Sequence, residues 1–173
     1  MSLDRSHEQH EESGLREAIS NIEAINTGSE QRAQIIMVLL GLKPAAGLKL
    51  YPWNSSPKES ESLLDRTSLK YLKRESNSLD NTVAEYAVSK DEQTAQRLLD
   101  CDSSSEFGAL MGYPETAIRA FETKDTYDGP LPEDIAGSVF RMIFSREHHE
   151  EEFETIRKWN RALLEYAPEL ASR

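Results

Sequence analysis

From Gly14 onward the apolar positions Leu15, Ile19, Ile22 and Ile25 recur at steps of three and four, the spacing of a helix with one buried face. Thr27-Gly28-Ser29 stops that helix, and Ser29 is placed to cap a second one whose Ile35, Ile36, Leu39 and Leu40 crowd one side. The two read as an αα-hairpin, with the second and more apolar helix at the centre of the core. Gly41 to Pro44 ends it. Gly47 to Trp53 then alternates as a short strand would, and Pro52 confines that strand to an edge or an end. Pro57 opens a polar helix expected to run to about Glu75, anchored by Leu64, Tyr71 and Leu72. Ser76 to Asn81 reads as a loop, and Thr82 to Ser89, rich in Val and Tyr, as the best strand of the chain.

A helix opened by Ser89 or Asp91 follows, reaching the core through Ala95, Leu98 and Leu99. Beyond a break at Cys101 to Glu106, the stretch Glu106 to Phe121 is helical on both sides of Gly112-Tyr113-Pro114. Thr123 to Asp134 is a loop, and Pro132 starts a helix expected to carry Ile135, Val139, Phe140 and Ile143. The last helix is expected to begin near Ser145, with Phe153, Ile156, Trp159, Leu163 and Tyr166 on one apolar stripe. Residues 1–13 carry no such stripe and are expected to be frayed. The predicted architecture is mainly α (α+β): a single helical domain over 14–173 with a small two-stranded antiparallel β ribbon.

Composition narrows the function classes. The chain has 173 residues, 38% hydrophobic and 29% charged, and a formal net charge of −11. That acidity disfavours nucleic acid and anionic membranes as partners. One local exception is conceivable, because Arg66, Lys70, Lys73 and Arg74 would share one face of a helix. A single cysteine, Cys101, allows no internal disulfide and fits a reducing cytoplasm. The longest apolar run, Ile35 to Leu42, falls far short of the roughly 20 residues that span a bilayer. A homo-oligomer through the stripe of the last helix is the remaining partner expected, with Trp159 and Tyr166 as anchors.

Candidate chemistry is sparse. His7 and His10 are one helical turn apart, and His148 and His149 sit beside acidic residues, but the pattern of a zinc hydrolase is absent, so no metal site is assigned. Asp100 and Asp102 flank Cys101 and disfavour a thiolate. No fingerprint of a nucleotide or other cofactor is present, and none is assigned. The Gly-Tyr-Pro break is different. Pro114 cannot continue a helix and pushes Tyr113 out of the α region, so one helix ends by Gly112 and another begins at Pro114. Gly108 and Gly112 leave one side open to a close approach. The expected site is therefore Gly112, Tyr113, Pro114, Glu115, Thr116 and Arg119.

The run from Thr82 to Phe121 resembles the domain of unknown function 483 family. The likeness is carried by the strand Val83 to Val88, by Lys90-Asp91 at a helix start, and by Glu106, Gly108, Leu110, Gly112, Tyr113, Pro114 and Glu115. Family members continue with two cysteines where this chain has Thr116 and Ala117, so no thiol or metal role carries over. The resemblance implies one structural unit and assigns no activity. The reading is a cytoplasmic, non-catalytic domain that binds a small ligand or a protein at the Gly-Tyr-Pro corner. The rival reading is a hydrolase or transferase that holds a small anionic substrate at the helix N-terminus 114–117, with Glu115 as acid or base.

Overall fold

The computed structural model of the chain describes residues 3–51, 53, 56–78 and 81–171. Its elements are α1 (Leu3–Glu23), α2 (Ser29–Leu39), β1 (Ala45–Leu50), α3 (Pro57–Leu64), β2 (Lys70–Ser78) and β3 (Asn81–Ser89), followed by helices. These are α4 (Glu92–Asp100), α5 (Ser104–Leu110), α6 (Glu115–Thr123), α7 (Glu133–Ala136), α8 (His149–Tyr166) and α9 (Pro168–Ala171). The mainly helical class is as the pattern predicts. No helix among the described residues is long and apolar enough to cross a membrane.

The ribbon has three strands, not two, in the order β1-β3-β2, all antiparallel. The third strand comes from the segment expected to prolong α3. Thr67 is the reason: its hydroxyl donates to the Leu64 carbonyl at 2.7 Å and accepts from the Leu69 amide at 3.2 Å, which closes the helix. The chain beyond it pairs with β3, so that Arg74 lies opposite Glu85. Lys73 and Arg74 consequently leave the sheet on opposite faces. Lys73 pairs with Glu61 at 3.2 Å and Arg74 with Glu85 at 2.9 Å, so the expected basic face does not form. Lys49 reaches Glu85 from the other side at 3.0 Å, and these two cations lower the Glu85 pKa. Pro52, and Leu79 and Asp80 of the segment expected to be a loop, lie outside the described residues.

The sheet separates two apolar layers. Leu48, Leu50, Ala84, Tyr86 and Val88 face the main core with α1, α2 and α8. On the other face Ala45 and Ala87 are small enough to admit Ala95 and Leu98 of α4 and Leu110 of α5. Tyr113 touches both layers. The stripe of α8 is core: Phe153, Ile156, Trp159 and Leu163 are buried, and an oligomer through them would have to unpack it.

Two further boundaries differ from expectation. α1 begins at Leu3 and so includes the segment expected to be frayed, although residues 9–14 are exposed. The helix expected to start at Pro132 and carry Ile135, Val139, Phe140 and Ile143 is the single turn α7. Ser138 ends it, donating to Asn160 Oδ1 at 2.7 Å and accepting from the Phe140 amide at 3.1 Å. The chain then runs extended, burying Phe140 and Phe144, and pairs Thr126 with Ser145 in an isolated bridge. α8 starts four residues later than expected because Ser145 is held outside it. The Ser145 amide donates to Glu152 Oε2 at 2.6 Å, and its hydroxyl accepts from the His148 amide at 3.0 Å.

Candidate functional site

The break in Glu106 to Phe121 is a Schellman motif. Ser103 caps α5, accepting the Glu106 amide at 3.2 Å. At the far end the Gly112 amide donates to Ala109 O at 3.0 Å and the Tyr113 amide to Gly108 O at 3.0 Å. Gly112 takes φ +75°, the left-handed conformation this motif needs and glycine supplies without a Cβ clash. Pro114 then N-caps α6, its carbonyl accepting from the Ile118 amide at 3.1 Å. Gly108 lets the two helices close: a Cβ there would lie 2.8 Å from Ile118 Cγ1.

A residue absent from the expected site holds this corner to the core. Lys43, between α2 and β1, is buried, and its Nζ donates to the carbonyl of Met111, the last residue of the α5 turn, at 2.7 Å. The ammonium lies 3.8 Å from the ring centre of Trp159 and 4.7 Å from that of Tyr113. Burial lowers the Lys43 pKa from 10.5 to about 7, against Glu30, which favours the charged form. Burial also raises the Tyr113 pKa, with Glu30 adding to it, while a hydrogen bond from the buried Gln34 side chain opposes the rise. Nothing in the local sequence marks Lys43, because its partners lie on α5 and α8.

Outside the corner opens an apolar groove of about 540 Å³. One side is α5 and α6, with Phe107, Ile118 and Phe121; the inner wall is Tyr113; the other side is the extended chain Arg141 to Ile143. Phe107, Phe121 and Ile143 remain 47%, 40% and 46% exposed, more than core packing would leave. Cys101 also lines the groove, its thiol donating to the Ser103 carbonyl at 3.2 Å.

The expected site residues divide. Tyr113 lines the groove. Gly112 backs onto Lys43 and Pro44, so a Cβ there would lie 3.2 Å from a carbon of each. Pro114, Glu115, Thr116 and Arg119 do not line the groove. Glu115 and Arg119 pair with each other at 2.9 Å on the exposed side of α6. Of the expected site only Tyr113 lines the groove; the rest of the lining was missed, including Phe107, Ile118 and Phe121 on the two helices and Cys101, Arg141 and Ile143 from breaks on either side of the corner.

Elsewhere among the described residues most polar groups are paired, although Asn21 Nδ2, Arg32 Nε, Gln34 Oε1 and Glu152 Oε1 are buried without a hydrogen-bond partner. A second cleft of about 400 Å³ between α7 and α8 contains Arg157, paired with Asp134 at 2.7 Å, and Asn160, which donates to the Asp134 carbonyl at 3.1 Å. His149 stacks on Tyr127 at 4.1 Å, with Nδ1 2.8 Å from the Arg146 carbonyl. His10 is exposed, and the His7 side chain lies outside the described residues. Among the described residues no three His, Cys, Asp or Glu side chains converge as metal ligands would.

No family model, curated protein or solved structure matches the chain.

Proposed function

We propose that this chain is a non-catalytic binding module whose groove at the Gly-Tyr-Pro corner takes the apolar part of a small molecule. The carrying observation is the half-exposed trio Phe107, Phe121 and Ile143 around a concavity of about 540 Å³, within the size range of small-molecule sites. The lining is mainly apolar. Glu115 and Arg119 pair with each other outside it, so the hydrolase or transferase reading gains no support from the groove. The resemblance of residues 82–121 to the domain of unknown function 483 family implies that β3 to α6 form one structural unit and assigns it no activity.

A neutral environment-sensitive dye, N-phenyl-1-naphthylamine, tests the reading. Its fluorescence should rise on addition of the protein and the rise should be lost in Phe121→Ser, with the thermal melting curve preserved. A rise that survives Phe121→Ser, or none with the native chain, overturns it.

A further inference from the structure

Among the described residues six arginines hold a carboxylate, Arg16, Arg74, Arg97, Arg119, Arg146 and Arg157, while Arg32, Arg66, Arg141 and Arg161 do not. Arg141, on the groove lining, pairs with no carboxylate among the described residues. Lys124 pairs with none either; its Nζ lies 4.5 Å from the ring centre of Phe121, which itself lines the groove. An apolar surface bordered by two cations that hold no carboxylate among the described residues is matched by an amphipathic anion. The planar fork of a guanidinium suits a carboxylate, which it can hold by two parallel hydrogen bonds.

Nearby acids oppose this less than the net charge suggests. Glu106 is taken by Arg97 and Asp125 by Arg146, each within 3.2 Å. More distant charge is screened over about 8 Å at physiological ionic strength. Asp102 is the carboxylate on the lining, and it works against an anion.

We infer that the groove takes a small amphipathic carboxylate, its apolar tail on Phe107, Phe121 and Ile143 and its head at Arg141. This rests on the reading of the groove as a binding site. The test displaces N-phenyl-1-naphthylamine with three probes of eight carbons each: octanoate, 1-octanol and octylamine. Octanoate should displace the dye at about tenfold lower concentration than 1-octanol, the size of one charge-assisted contact. Octylamine should be the weakest. Within Arg141→Gln the octanoate-to-octanol ratio should fall to about one, and within Asp102→Asn it should grow. Equal displacement by octanoate and 1-octanol in the native chain overturns the inference, as does an octanoate preference that survives Arg141→Gln. Tightest displacement by octylamine overturns it too, and assigns the head to Asp102. If the dye binds and no probe displaces it, the inference fails while the groove stands. If the dye does not bind at all, the groove reading fails first.

Discussion

Gly112 shows how one residue fixes a corner. Its φ of +75° is a conformation that a β-branched side chain adopts only under strain, and Lys43 and Pro44 fill the space a side chain would need. Gly112→Val should therefore destabilise the chain by about 1–3 kcal/mol or more, read by urea denaturation. Lys43 makes a prediction in pH. Its folded pKa of about 7 lies below the 10.5 of the unfolded chain. Below about 7 both states hold the proton and stability does not change on its account. Between about 7 and 10.5 the unfolded chain keeps a proton that the native chain has shed, so stability rises with pH. The difference in unfolding free energy between the native chain and Lys43→Met should rise across that window, by up to about 1.4 kcal/mol per pH unit. A difference that is flat from pH 7 to 10 would show that Lys43 keeps its charge between the two rings.

At the scale of elements, α5 and α6 are joined by a capped turn and by one close approach. A Cβ on Gly108 would intrude to 2.8 Å on Ile118 Cγ1, a side chain with some freedom because it borders the groove. Gly108→Ala should cost about 1–3 kcal/mol through overpacking. Combining it with Ile118→Ala should recover part of that loss. The non-additivity, measured as a double-mutant cycle, reports the contact itself. Additive costs would mean that the helices separate freely and that the groove has no fixed width.

Across the whole molecule the sheet works as a partition, with the main core on one face and the α4–α5 layer on the other. Trp159 lies fully inside the main core and also beneath the Lys43 ammonium. Trp159→Ala should destabilise by about 3–5 kcal/mol, as for other buried aromatics. An unchanged melting temperature would place the α8 stripe at a surface. The net charge of −11, with Lys73 and Arg74 each already paired, predicts no binding to duplex DNA in a gel shift at moderate salt. A tight, salt-sensitive shift would reverse that.

Local rules decided much of this chain. The stripes of α1 and α8 follow from a 3.6-residue period, whereas α2 is buried on all sides from Ala33 to Leu39; the end of α5 follows from the fact that only glycine turns left-handed at no cost and proline cannot continue a helix. β2 was not legible, because Lys70 to Ser78 is polar enough to pass for a solvated helix. Its strand state comes from pairing with the next strand, β3, in a register that runs from Ser78 opposite Asn81 to Lys70 opposite Ser89, and the apolar pattern of Lys70 to Ser78 does not announce that pairing. Val139 to Ile143 likewise fit a helical period, and became extended chain because Phe140 and Phe144 found core partners in Trp159 and Phe153. The corner was visible in the sequence, but its use was not. Lys43 and Arg141 lie far from it along the chain, and burial and proximity, which set the state of one and the surroundings of the other, are properties of the folded molecule alone.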